Sequence, residues 1–272
     1  SAAAIMSPLV CLVFALSLAT APMIFTGTDS DSNFVSLPAE EPEQPEEPSV
    51  SKVIENVNKN ITLLEHGDIR RPLRRNAAPC TATGCKWPKS RYYVYVPISI
   101  SSAYTTTQRN IIINALLSFH DSTCIRFHWR GSENSYLNFI SDYGYCWSYV
   151  GRQGGRQDVS LQARGCLYHE VVQHEVLHAL GFHHEQVRSD RDNYIRILTE
   201  NIIPGMEHNF QIEKTNNLGT PYDFNSVMQY ENTAFSKNGQ NTIVSKSDPG
   251  MIFGTARKMS QNLDRVNRLY QC

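Results

Sequence analysis

Residues 174 to 184 read His-Glu-Val-Leu-His-Ala-Leu-Gly-Phe-His-His. His174, Glu175, His178, Gly181 and His184 stand there in the spacing H-E-x-x-H-x-x-G-x-x-H. Residues four apart on a helix share a face, so the imidazoles of His174 and His178 can reach one metal ion. Gly181 permits a sharp turn, because glycine enters left-handed backbone conformations without strain. That turn brings His184 to the same metal. Three neutral imidazoles with an open fourth position describe a catalytic zinc site rather than a structural one, with one ion per chain. Glu175, beside the first ligand, is placed to take a proton from a water at that metal. Two histidines four apart occur on many amphipathic helices; the added glycine and third histidine make the string specific. His183 is one residue early for the third-ligand spacing and reads as a pocket-wall or surface residue. His169 is off-pattern and reads as solvent-exposed.

The chain has 272 residues and a net charge of −1, which suits one or two domains and gives no basic excess for a nucleic acid partner. Leu9 to Leu18 form an apolar run followed by Ala19-Thr20-Ala21, the pattern of a secretory signal peptide over residues 1–21. The run is too short for a membrane span, which needs about 20 residues, and no other stretch is long and apolar enough. The expected location is therefore extracellular, by way of secretion and with storage in secretory granules as a variant. Cys11 would leave with the signal. Cys80, Cys85, Cys124, Cys146, Cys166 and Cys272 remain, an even set that implies disulfides in a secreted domain, although six cysteines allow 15 pairings. The alternative, a zinc-thiolate cluster, lacks any CxxC pair.

Residues 39–48 form an acidic, proline-rich tract that cannot bury enough apolar surface to order itself. Val50 to Leu63 reads as a short helix, and Asn60-Ile61-Thr62 is a glycosylation sequon. Arg70-Arg71-Pro72-Leu73-Arg74-Arg75 reads as an exposed basic linker, where processing occurs. An activating protease cutting after Arg75 would divide the chain into a propeptide, residues 22–75, and a mature domain, residues 76–272. Residues 1–75 carry a net −4 and the remainder +3, consistent with an acidic segment covering a mildly basic domain or with plain solubility. In the mature part, Tyr92–Ser99, Ile125–Trp129, Tyr136–Ser141 and Val159–Leu161 read as strands. Thr107–Ser122 reads as a core-facing helix, the metal helix spans about 167–181, and Ser260 is placed to cap a last helix carrying Leu263, Val266 and Leu269. The order predicts an α+β domain, with a looser second half and a cleft at the metal helix.

The run from His174 to Glu185, followed by Arg188-Ser189-Asp190-Arg191-Asp192, resembles the astacin family of zinc endopeptidases. Ser226-Val227-Met228-Gln229-Tyr230 is similar to that family's methionine turn, with Gln229 where many members have histidine. Cys80 and Cys85 are similar to those of the six-cysteine subgroup, which includes fish hatching enzymes and nephrosin-like proteases. The resemblance implies a metzincin-type zincin fold, two lobes about a central helix and a cleft. It implies that Met228 forms a floor beneath the zinc and that Tyr230 is both a further zinc ligand and an oxyanion-stabilising group. It implies disulfides Cys124–Cys272 and Cys146–Cys166, with Cys80–Cys85 added by the subgroup. It implies a contact between Glu185 and the new N-terminus at Asn76. Glu65-His66-Gly67-Asp68 resembles the latency motif, whose aspartate, here Asp68, occupies the catalytic position on zinc; Glu65 replaces the usual aromatic. Without the resemblance, Met228 and Tyr230 read as core residues and Asp68 as a turn residue.

These features together predict a secreted zinc endopeptidase made as a zymogen, acting as a monomer on protein or peptide substrates, with egg envelope as one candidate by the subgroup resemblance and tissue matrix or host defence as another. Glu175 is the general base, and an edge strand near Val159–Leu161 is expected to pair with extended substrate. The rival from another class is a catalytically silent, zinc-containing extracellular binding protein. Its mark would be loss of the general base, and Glu175 is present.

Overall fold

The computed structural model describes residues 48–59, 61, 63–71, 85–141, 144–257, 259 and 261–272. The expected signal peptide, most of the acidic tract, Asn60, the Arg74-Arg75 site, Asn76, Cys80 and Ser260 lie outside the described residues.

Helix α1 spans Val50–Asn58, with Ser49 capping it by accepting from the Lys52 N–H. Val50, Val53 and Ile54 are buried at helical spacing. The helix stops short of the predicted Leu63. Asn58 directs its side-chain amide to the Gly67 and Cys146 carbonyls, at 2.8 and 2.6 Å, and accepts from the Cys146 N–H.

Five strands form the main sheet: β1 (Lys89–Ser90), β2 (Tyr93–Ile100), β3 (Ile125–Trp129), β4 (Tyr136–Ile140) and β5 (Arg156–Ser160). β2 pairs in parallel with β3 and β4, β4 pairs in parallel with β5, and β1 joins β2 antiparallel. In the first half of β2 the side chains alternate, with Tyr93 and Tyr95 exposed while Val94 and Val96 are buried, and from Val96 to Ile98 both faces are covered. The buried face carries Val94, Val96, Ile125, Phe127, Leu137 and Phe139. Helices α2 (Thr106–Leu117) and α3 (His169–Ala179) join that core through residues such as Ile112, Leu116, Val172 and Val176. Each such aliphatic or aromatic side chain contributes about 1.5–3 kcal/mol by burial.

A capping box starts α2: the Thr105 side chain accepts from the Gln108 N–H, and Gln108 accepts from the Thr105 N–H. The helix ends at Leu117 rather than the predicted Ser122. There the Ser118 and Thr123 hydroxyls donate to the Ala115 and Phe119 carbonyls, both at 2.6 Å, and compete with continued helix.

The second half is built from short 3₁₀ turns and one small antiparallel pair, β6 (Ile195–Ile197) with β7 (Ile243–Ser245). Its own core contains Ile195, Ile202, Phe210, Tyr222, Tyr230 and Phe253. Helix α4 (Gln261–Tyr270) returns to the main core through Val266 and Tyr270. Disulfides join Cys124 to Cys272 and Cys146 to Cys166, the pairings the resemblance implied. Cys85 is disulfide-bonded as well. The architecture is the expected α+β with two lobes. Among the described residues no helix is long and apolar enough to cross a membrane.

Candidate active site

Helix α3 is buried along Val171–Ala179, and His174 and His178 share one face of it. Its end is set by hydrogen bonding. The Gly181 N–H donates to the His178 carbonyl at 2.8 Å, and the Phe182 N–H to the Leu177 carbonyl at 3.0 Å. This paired closure is a Schellman motif and needs a residue with positive φ after the cap; Gly181 supplies φ 110°. The Trp87 indole N–H and the Tyr270 hydroxyl donate to the last carbonyls, Ala179 and Leu180. The turn so fixed returns His184 to the histidines of the helix.

The three Nε2 atoms stand 3.1 Å (His174–His178), 3.2 Å (His174–His184) and 3.3 Å (His178–His184) apart, and all three rings are buried. The Nδ1–H of His174 donates to the Val227 carbonyl, and that of His178 to the Phe182 carbonyl, both at 2.7 Å. A carbonyl can only accept, so in the neutral ring each Nε2 carries a lone pair. Burial lowers the pKa of His178 and pushes that of His184 down to about 3, which keeps both rings neutral. Lone pairs converging at this distance repel unless a cation lies among them. Tetrahedral zinc, with ligands about 2.0–2.1 Å away, sets its ligand atoms roughly 3.3 Å apart. The donor set therefore fits zinc.

A fourth donor comes from far away in sequence. Asp68 Oδ2 lies 3.0 Å from His174 Nε2 and 3.3 Å from His184 Nε2, and Oδ1 lies 3.5 Å from His178 Nε2. Asp68 and the three histidines form a buried group able to hold a metal ion. Asp68 ends a tight turn closed by Glu65 and Ile69, whose N–H and carbonyl groups exchange hydrogen bonds at 2.8 Å. The Ser148 N–H donates to the Asp68 carbonyl at 3.0 Å, and the Arg70 N–H donates to the Ser148 carbonyl at 2.9 Å. Gly67, at φ +82°, has no room for a side chain: a Cβ would stand 3.0 Å from both the Phe235 ring and the Tyr230 hydroxyl. His66 is held through its ring by the Asn209 carbonyl and the Glu213 carboxylate.

Glu175 is fully buried, and neither carboxylate oxygen has a hydrogen-bond partner among the described residues. Burial, with the Asp68 charge adding to it, pushes its carboxyl well above the usual range. A cation at the adjacent imidazoles opposes both effects. Tyr230 packs its ring 4.7 Å from that of His184, and its hydroxyl donates to the His66 carbonyl. Met228 is buried next to it, and its carbonyl accepts from the Glu185 N–H at 2.9 Å.

Glu185 is not a surface carboxylate. It accepts from both terminal nitrogens of Arg265, from Arg188 Nη1 at 3.0 Å and from the Asp223 N–H at 2.8 Å. The expected contact with Asn76 lies outside the described residues. His183 stands against the His66 ring as a pocket-wall residue. His169 is half-buried and bonded to Gln173, not free in solvent as expected. The edge expected near Val159–Leu161 is covered, because Trp147 bridges Ser160. The Cys146–Cys166 disulfide secures that covering segment. The outer edge is the Trp147-Ser148 segment, whose Ser148 pairs with Asp68 and Arg70; the sequence reading missed it, along with Arg265.

The model of the Astacin peptidase family matches residues 81–271. The chain belongs to the astacin family. It is 43% identical over 238 residues to low choriolytic enzyme of Oryzias latipes, covering 86% of this chain and 88% of that protein. High choriolytic enzyme 1 of the same fish is 42% identical over 225 residues, 82% of this chain and 83% of that one. A solved structure of high choriolytic enzyme 1, described as a hatching enzyme zinc-protease, matches with a TM-score of 0.68 at 43% identity, over 72% of this chain and all of that chain. A structure of myroilysin, 17% identical with a TM-score of 0.51 over 69% of this chain and 96% of that one, shares the fold alone. This astacin is a zinc-dependent metalloendopeptidase, similar to hatching enzymes and acting on proteins or peptides.

Proposed function

We propose that this astacin is a secreted endopeptidase made as a zymogen, that Asp68 holds it latent, and that its substrates are proteins of the egg envelope. The single observation that carries the zymogen reading is the Asp68 carboxylate, within 3.0 to 3.5 Å of the Nε2 atoms of His174, His178 and His184. Residues 1–21 act as the signal peptide and 22–75 as the pro-segment. A protease cutting after Arg75 releases the mature enzyme, residues 76–272, which works as a monomer. The apolar run Leu9–Leu18 with its following Ala19-Thr20-Ala21, and the two formed disulfides, support passage through an oxidising compartment. The egg-envelope reading rests on the choriolytic relatives.

His174, His178 and His184 would hold the zinc, and Tyr230 would serve as a further ligand in the free enzyme. When bound, zinc supplies Lewis acidity that lets a water lose its proton near neutral pH. Glu175 takes that proton from the attacking water and delivers it to the leaving amine nitrogen. The Tyr230 hydroxyl, released from the His66 carbonyl, donates to the carbonyl oxygen that gains charge during attack. The Ser148 N–H and carbonyl offer one donor and one acceptor to a substrate chain, as they do to Asp68 and Arg70.

The test uses the zinc-loaded enzyme after removal of the pro-segment, a quenched peptide, isolated egg envelope and a chelator. Cleavage of both substrates that stops with the chelator and returns with zinc is the expected result. A zinc-loaded enzyme that cleaves neither contradicts the peptidase reading. One that cleaves the peptide but leaves the envelope intact contradicts the substrate assignment only.

A further inference from the structure

We infer that Glu231 forms an anionic subsite of the cleft that takes a basic side chain, lysine or arginine, of the substrate. This inference rests on the zymogen reading, because the pro-segment is what occupies the subsite here. Glu231 directly follows Tyr230, so its backbone is one residue step, about 3.8 Å, from the tyrosine of the site. Helix α1 lies against it. Lys52 Nζ stands 3.6 Å from Glu231 Oε1, and the Ser49 hydroxyl donates to Oε2 at 2.9 Å. The Glu231 N–H donates to the Ser51 hydroxyl at 3.1 Å. Four residues on, the Phe235 N–H donates to Glu55 Oε1 at 3.3 Å. The wall from Glu231 to Phe235 is thus gripped by pro-segment side chains.

Removal of the pro-segment strips this wall. Of the carboxylate's partners among the described residues, only the Thr233 hydroxyl, 3.3 Å from Oε1, belongs to the mature chain. With α1 in place the Glu231 side chain is 18% exposed, and departure of the helix opens it further to the cleft. The carboxylate then lacks the Lys52 ammonium and the Ser49 hydroxyl, and a substrate cation can take their place with the modest gain of a partly exposed ion pair. The preceding residue, Tyr230, lines a cavity under α1 together with Ile203, Met206, Ala234 and Phe235, and Ser51, which accepts from the Glu231 N–H, lines it too. Lysine and arginine have apolar stems and charged ends, so one side chain can use both the apolar wall and the carboxylate. An acidic side chain at the same place meets like charge. Lys52 therefore rehearses the substrate's cation, in the way a pro-segment that fills a cleft borrows the cleft's own preferences.

The experiment measures kcat/KM for a family of quenched peptides of one common sequence. Lys, Leu or Glu is placed in turn at each position on either side of the scissile bond. The zinc-loaded, activated enzyme is compared with its Glu231→Gln and Glu231→Lys variants, and each ratio of rates is taken within one variant, so that altered overall activity cancels. The expected wild-type result is one position at which Lys exceeds Leu by about fivefold, the scale of a partly exposed ion pair. Glu231→Gln should bring that ratio near one, and Glu231→Lys should turn the preference towards Glu. Zinc-dependent cleavage with no Lys preference at any position overturns the subsite and leaves the peptidase reading standing. So does a Lys preference that survives unchanged in Glu231→Gln. Failure of the wild type to cut any peptide overturns both.

Discussion

Asp68 Oδ2 stands 3.0 Å from Nε2 of His174, across a sequence separation of 106 residues. The two atoms belong to different functional parts of the chain, a short segment ahead of the basic linker and the central helix. Neither atom carries a hydrogen when the ring is neutral and the acid ionised, so a shared cation is the natural occupant of the space between them. Latency and metal binding thereby become one geometric question.

Glu175→Gln keeps the shape of the side chain and removes the base. Zinc content and fold are expected to remain, while kcat falls by about 10²–10⁴-fold. Metal analysis alongside steady-state kinetics on the activated enzyme checks this. Near-normal turnover in a zinc-loaded variant would remove Glu175 from its assigned role.

Tyr230→Phe removes only the hydroxyl that now donates to His66. A group that acts chiefly in the transition state shows its loss in kcat more than in KM. The variant is expected to retain zinc through the three histidines and to turn over more slowly. An unchanged kcat would leave Tyr230 as a packing residue of the second core.

Arg265→Met takes away both guanidinium bonds to Glu185 and leaves that buried carboxylate with Arg188 and the Asp223 N–H. Breaking a buried pair on one side costs about 3–5 kcal/mol. Denaturant unfolding of the precursor should show a loss of that order. A change below about 1 kcal/mol would mean that α4 is held to the metal turn by packing alone.

Much of this was legible in the chain because the determining residues are close together. His174, His178, Gly181 and His184 lie on the end of one helix and its cap, and the cap geometry follows from the glycine. Met228 and Tyr230 were legible only through resemblance, since nothing local distinguishes them from core. The Trp147-Ser148 edge escaped notice because it is irregular backbone, placed by a disulfide and single bridges rather than by side-chain alternation. The β6 and β7 strands are three residues each and lie far apart in sequence, too short to show a period. Arg265 reads as one polar position of an amphipathic helix, and only tertiary contact reveals its tie to Glu185.

Gly67→Ala tests how tightly the latency segment must fit. A Cβ there meets Phe235 and the Tyr230 hydroxyl, at a backbone angle that side chains resist. The uncut precursor carrying it is expected to show measurable peptidase activity and faster proteolysis of the segment. A precursor as silent and as resistant as the unchanged one would show that the cleft yields to the added methyl group.

The central claim is that the Asp68 carboxylate, rather than the bulk of the pro-segment, blocks the metal. Its most direct test is a precursor made uncleavable by Arg74→Ala and Arg75→Ala, compared with and without Asp68→Ala on one peptide substrate, with zinc measured in both. Equal zinc is expected, with a rise in activity of about tenfold or more in the Asp68→Ala form, the scale at which losing a metal-directed group is felt. Equal silence of the two zinc-loaded precursors would contradict the claim and assign the block to the covering segment.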